Sequence, residues 1–252
     1  MSITKESDYQ GILKAGEIVA FTLKEMKDHA RPGMTTKQLD DYGASILQSY
    51  GARSAPNLTY GFPGWTCISV NHEFCHGIPS ARKILKDGDL VNIDVSAEIN
   101  GFFADNGNSF VIGNDIYNHQ KLIDASKSIL YSAIDAISHD IRISEIGHRM
   151  EKEAAQQGYK VIKNLAGHGI GKSLHESPHE VLNYYDPFTK QKFKNHSVIA
   201  VETFISTTSD YVVTARDKWT LLGDQGGFMA QHEHTILVTD RQPIILTKNN
   251  GV

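Results

Sequence analysis

Cysteine occurs only twice in the 252 residues, at Cys67 and Cys75. That is too few for a disulfide framework and the wrong spacing for a Cys-x-x-Cys motif, so a reducing, cytoplasmic setting is expected. Long apolar runs are absent as well. No stretch reaches the roughly 18 apolar residues of a membrane span, and no basic-then-apolar leader opens the chain. Neither membrane contact nor export is expected. Nor is there an excess of basic charge: 25 Lys and Arg stand against 29 Asp and Glu, a net charge of −4. Such a balance gives no footing for nucleic acid or an anionic membrane. Low-complexity linkers are missing too, so residues 1–252 are expected to form one domain.

What is present is ordinary in bulk, 40% hydrophobic and 21% charged, and patterned in detail. Apolar residues at Ile12, Ala15, Val19, Leu23 and Met26 predict a helix over 8–29. After a turn at "RPGM", residues 35–51 predict a second helix, capped by Thr35 or Thr36 and stopped near Gly51. Strand-like segments occupy 67–112. The order then restarts, with helices over 118–138 and over 143–158. Ser144 is the expected cap of the latter and Gly158 its stop. Strands fill much of the remainder. An offset of 107 lays Met34 on Ile141, Leu39 on Ile146 and Gly51 on Gly158. Two helices followed by antiparallel strands, given twice, predict an α+β fold with an internal pseudo-two-fold. Its halves span about 6–112 and 115–246. A site at their junction would draw residues from both.

The stretch "AGHGIGKSLHESPH", residues 166–179, looks at first like a phosphate loop. Such a loop needs a glycine five places before Gly171, where this chain has Ala166, and a helix opening after Ser173. Pro178 blocks that helix, and no helical period follows. The reading fails, and His168, His175 and His179 need another explanation.

"GDLVNIDVSAEINGFFADNGNSFVI", residues 88–112, carries a stronger signal. Asn100-Gly101 favours a two-residue hairpin turn, because both residues tolerate positive φ. A hairpin symmetric about that turn sets Asp94 opposite Gly107 and Asp105 opposite Ser96. The two aspartates then share one face as diagonal neighbours, roughly 7–8 Å apart at the backbone. Val91, Ile93, Val95 and Ala97 take the other face, toward a core. Two solvated acids, a grip on a pair of cations, and an acid/base pair for sugar hydrolysis all fit at this point. In the second half, Glu202 and Glu233 each stand inside an apolar strand. Under the repeat, Glu202 falls within one position of the counterpart of Asp94. His232 and His234 flank Glu233, point to the opposite face, and are not counted as ligands.

"CHGIP" at 75–79, "VNIDVSAEINGFFAD" at 91–105, "GHGIGKSLHESP" at 167–178, "VETF" at 201–204 and "EHT" at 233–235 occur in that order. Together they resemble the successive motifs of type I methionine aminopeptidases, and the likeness runs over nearly the whole chain. The resemblance implies the pseudo-symmetric pita-bread fold, an antiparallel sheet with helices packed on one face. It implies removal of the initiator methionine from nascent polypeptides whose second residue is small. Asp94, Asp105, His168, Glu202 and Glu233 would hold two divalent ions, with Asp105 and Glu233 bridging. Four carboxylates balance the charge of two such ions, and oxygen ligands with one imidazole suit Mn, Fe, Co or Zn.

The resemblance also implies that Glu202 shuttles a proton, that His175 meets the developing oxyanion and that His76 holds the scissile amide. Phe62, Cys67, Leu174 and Trp219 would wall the methionine pocket. Leu174 replaces an aromatic residue of many relatives. Asn106 follows Asp105 where relatives usually have Thr, and Thr203 follows Glu202 where they usually have Pro. Proline-directed dipeptidases share the fold but usually carry a sizeable N-terminal domain, and fewer than ten residues precede the first predicted helix here. A binding protein that has lost the chemistry would be expected to lack ligands, and all five are present. The expected partners are nascent N-termini, with no nucleic acid and no membrane. A monomer is expected; ribosome contact and the physiological metal stay open.

Overall fold

The periodic apolar residues of the first predicted helix, from Ile12 to Met26, form one fully buried stripe of α1 (Glu6–His29). The structure, a computed structural model, describes residues 1–251. After α1 come α2 (Thr36–Ser49), β1 (Arg53–Ser54), α3 (Ala55–Tyr60), β2 (Cys67–Val70), β3 (Glu73–Cys75), β4 (Leu90–Ile99) and β5 (Phe102–Val111). The second half gives α4 (Gln120–Ala136), α5 (Ile143–Gln156), β6 (Lys160–Val161), β7 (Ala166–Gly169), β8 (Glu176–Leu182) and β9 (Val198–Ser206). The chain finishes with β10 (Val212–Thr214), β11 (Leu221–Gly223), β12 (Met229–Leu237) and β13 (Ile244–Ile245).

Ten strands form one antiparallel sheet along the path β1-β4-β5-β12-β9-β7-β8, with β2 on β4, β6 on β9 and β13 on β12. A separate sheet joins β10, β11 and β3. The hairpin turns at Asn100 and Gly101, with φ of 51° and 80°, the left-handed pair that a tight turn requires. Its register sets Asp94 opposite Gly107 and Asp105 opposite Ser96, as the symmetric turn predicts.

Strand alternation divides the sheet into two faces. Val91, Ile93, Val95 and Ala97 are fully buried in a layer with Val19, Leu23 and Leu39 of α1 and α2. Ile199, Val201, Ile205, Ala230 and Ile236 do the same with Ile129, Leu130 and Met150 of α4 and α5. Truncating one of these fully buried residues, such as Ile93→Ala, costs about 2–5 kcal/mol by transfer and cavity terms. All four long helices therefore cover one face, and the other face is left free to carry chemistry.

The two halves share a backbone contact where their second helices begin but differ in their side-chain caps. Thr35 closes α2 with a capping box: the Gln38 N–H donates to its hydroxyl (3.1 Å) and its own N–H donates to the Gln38 carboxamide (2.9 Å). The Thr36 N–H also donates to Lys83 O (2.9 Å). At the corresponding place in α5, the Ile143 N–H donates to Gln191 O (3.0 Å). This corrects the expectation for Ser144. The N-cap is Arg142, no side chain caps α5 among the described residues, and Ser144 lies buried in the first turn. The distant Gln191 carbonyl takes the N–H of the first helical residue, so the helix opens at Ile143 and Ser144 falls inside it. Gly51 and Gly158 end their helices with φ of 70° and 82°.

His232 and His234 point beneath α4, away from Glu233. His232 Nδ1 pairs with Ser126 Oγ (3.0 Å), and His234 with Thr247 Oγ1 (2.8 Å) and the Tyr131 hydroxyl (3.1 Å). Burial pushes their pKa values down to about 3 and about 4, so both are neutral. No helix follows Ser173, in line with the rejected phosphate loop. No helix among the described residues is long and apolar enough to cross a membrane.

Candidate metal centre and substrate cavity

The face opposite the helices gathers the acids. Asp94 and Asp105 lean toward the hydroxyl of Ser96, which donates to Asp105 Oδ1 (2.6 Å) and lies 3.3 Å from Asp94 Oδ1. Glu202 and Glu233 are direct register partners on β9 and β12. The carboxamide of Gln231 donates to both, to Glu202 Oε2 (2.9 Å) and Glu233 Oε2 (3.2 Å). The Gln231 carbonyl oxygen in turn accepts from Asn92 Nδ2 (2.7 Å). Strand alternation puts Ser96 beside Asp94 and Gln231 beside Glu233 on the same face. That signal was available in the sequence and was missed.

His168 enters from β7, which pairs with β9 at Ala200. Its Nδ1 lies 3.0 Å from Gly169 O. A carbonyl only accepts, so Nδ1 carries the proton and Nε2 keeps its lone pair, the form that ligates a metal. Nε2 lies 3.8 Å from Asp105 Oδ2. Burial, with the His175 ring alongside, holds the His168 pKa at about 3, so the ring is neutral.

Asp105, His168 and Glu233 each offer a ligand atom, all within 4.8 Å of one another, and all three residues are buried. Asp94 and Glu202 adjoin them. Burial is the first cause raising all four acids. Asp105 reaches about 6, and mutual repulsion lifts Asp94 and Glu233 well above the usual carboxylate range, with Glu202. One atom reports what is needed: Glu233 Oε1 is buried with no hydrogen-bond partner among the described residues. Such an orphaned acceptor among four acids and a neutral imidazole fits a divalent cation.

The acids floor a cavity of about 170 Å³. Phe62, Cys67, Leu174 and Trp219 all line it, as do His76 and His175. Phe62 meets Trp219 edge to face, ring centroids 5.3 Å apart. His76 follows β3 with a left-handed φ of 54° and lines the cavity. Its surface is exposed although protein crowds it, and that crowding with the nearby His175 holds its pKa below the usual value. His175 rests on the His168 ring, centroids 4.0 Å apart, and its Nδ1 lies 2.7 Å from the Tyr60 hydroxyl. Tyr60, Cys75 and Phe204 also line the cavity and were not singled out from sequence. Asn106 and Thr203 face the helices instead. Thr203 Oγ1 shares a hydrogen bond with Ser126 Oγ (2.7 Å), and Asn106 Nδ2 donates to Val95 O (3.2 Å).

A buried carboxylate-histidine cluster at the floor of an apolar cavity, on a pseudo-symmetric α+β scaffold, defines a metal-dependent hydrolase. The chain belongs to Metallopeptidase family M24, whose model matches residues 10–240. It is 49% identical over 248 residues to methionine aminopeptidase 2 of Bacillus subtilis, covering 98% of this chain and 100% of the relative. Its structure is similar to that of the methionine aminopeptidase of Thermotoga maritima, with a TM-score of 0.93 and 31% identity over 98% of this chain and 99% of that one. The prolidase of Pyrococcus horikoshii shares the fold at a TM-score of 0.77 and 20% identity, over 97% of this chain but 63% of its own.

Proposed function

We propose that this chain removes the N-terminal methionine from nascent proteins and peptides whose second residue is small. The observation that carries the reading is one cavity, apolar and sulfur-compatible at its walls and carboxylate-rich at its floor. Phe62, Cys67, Leu174 and Trp219 suit an unbranched thioether side chain. Asp94, Asp105, His168, Glu202 and Glu233 would hold two divalent ions, drawn from Co, Mn, Fe and Zn. Such ions supply Lewis acidity toward a peptide carbonyl and lower the pKa of water.

The protein's own groups do the rest. Glu202, whose burial raises its proton affinity, takes the proton from the attacking water and returns it to the leaving amine. His175 donates to the carbonyl oxygen as charge develops there. His76 holds the scissile amide. The free amine of an N-terminal residue would bind at the ions these acids would hold, which suits an enzyme that cuts only at a free N-terminus.

A proline-directed activity is the second reading, disfavoured by the 49% identity to the methionine aminopeptidase 2 of Bacillus subtilis. The test strips the protein with chelator, restores single metals, and compares Met-Ala-Ser with X-Pro peptides. Restored cleavage of Met-Ala-Ser alone supports the proposal. Preferred cleavage of X-Pro peptides, or full activity without metal, overturns it.

A further inference from the structure

His175 sits on the irregular segment between β7 and β8, so no ladder of backbone bonds fixes its ring. Two side chains do. One is His168, which packs against it face to tilted face. The other is Tyr60, whose hydroxyl lies 2.7 Å from His175 Nδ1 and whose ring leans on the imidazole at a centroid distance of 5.7 Å. Tyr60 is itself well placed by its backbone. It is the last residue of α3, and Gly61 follows with a left-handed φ of 73°. The Asn57 carboxamide donates to Phe62 O (2.8 Å), tying the end of the helix to the cavity wall.

Between a phenol and a neutral imidazole, the phenol is the stronger proton donor and the imidazole lone pair the stronger acceptor. The bond therefore runs from the Tyr60 hydroxyl to His175 Nδ1. The imidazole proton then sits on Nε2, which has no hydrogen-bond partner among the described residues. With the opposite tautomer, Nε2 would be an acceptor and would meet a developing oxyanion lone pair to lone pair.

We infer that Tyr60 is a positioning residue: its hydroxyl holds the His175 ring and keeps the proton on Nε2, the nitrogen that donates to the substrate carbonyl. The inference rests on the reading of His175 given above. Tyr60 bonds to no proposed metal ligand and also lines the cavity, so KM and metal content are read beside kcat to separate an effect through His175 from a direct one.

The test is a double-mutant cycle on metal-loaded protein, with Tyr60→Phe, His175→Ala and the pair, assayed on Met-Ala-Ser with metal content measured beside it. Tyr60→Phe keeps the ring and loses only the hydroxyl at a half-exposed site. It is expected to keep its metal and its KM within about twofold and to lower kcat roughly three- to tenfold, the loss of one neutral hydrogen bond. In the His175→Ala background the same change is expected to do nothing further. An equal drop in kcat in both backgrounds, a rise in KM with kcat unchanged, or no effect at all overturns the role of Tyr60. Normal kcat in His175→Ala overturns the reading of His175 itself, and the Tyr60 inference with it.

Discussion

Glu202 and Glu233 face each other across β9 and β12, and a single carboxamide, that of Gln231, donates to both. Two buried carboxylates side by side repel. The two N–H groups of Gln231 offset part of that repulsion and fix which oxygen of each acid is left for a cation. Glu233 Oε1 is the oxygen left over.

Gln231→Leu is therefore expected to preserve the fold and to weaken metal binding by roughly 10–100-fold, the usual effect of losing a group that orients ligands. Gly107→Ala should do the same from the other side, because a Cβ there would collide with the Gln231 carboxamide. Competition against a fluorescent chelator reads both. Unchanged affinity in both variants would mean that Gln231 plays no part in aiming the acids.

The same crowding predicts how metal and proton compete. Asp105 has a pKa of about 6 in the folded protein against an ordinary value of 3.8, and its neighbours are raised as well. For a carboxylate raised by folding, the metal-free protein loses stability as pH climbs from 3.8 through about 6, where the buried acid must ionise. A divalent ion reverses that loss, because it binds the ionised form. The rise in Tm on adding Mn²⁺ should therefore be small at pH 5 and larger at pH 7.5. A Tm rise independent of pH across this window would contradict the arrangement.

How much of this was legible in the sequence depends on how far apart the partners lie. Asp94 and Asp105 were placed on one face by a two-residue turn, since Asn100-Gly101 sets the register locally. The helix over 8–29 and the Thr35 cap were likewise local matters. Glu202 and Glu233 were different. Their pairing joins strands 31 residues apart, and alternation within either strand says nothing about which strand lies next to it. The repeat pointed to Glu202 alone, and the resemblance brought both acids to the site. Tyr60 escaped for the same reason: it meets a residue 115 positions away. Ser144 misled because the helix opens before it, at Ile143, whose N–H is held by the Gln191 carbonyl of a distant segment.

His168 and His175 stack on one another yet should fail differently. His168→Ala removes the imidazole that stands within ligand distance of Asp105 and Glu233 and is expected to lower metal occupancy and activity together. His175→Ala is expected to keep metal and most substrate binding while kcat falls by roughly 10²–10³-fold, the cost of one oxyanion donor. Metal analysis beside steady-state kinetics separates the two. Loss of metal from His175→Ala would show that the rings share one job.

Thr203 stands next to Glu202 in sequence but on the far side of the sheet. Its hydroxyl shares a bond with Ser126 Oγ (2.7 Å), which in turn holds His232 Nδ1 (3.0 Å). This chain of three polar side chains is fully buried between β9, β12 and α4. Thr203→Val keeps the shape and breaks the chain, leaving Ser126 to satisfy itself elsewhere. A buried donor or acceptor stripped of its partner costs about 1–3 kcal/mol. Urea unfolding should show a loss of that size, while metal content and kcat stay within about twofold of the parent protein. A large fall in kcat without a loss of stability would mean that Thr203, from behind the sheet, sets the aim of Glu202.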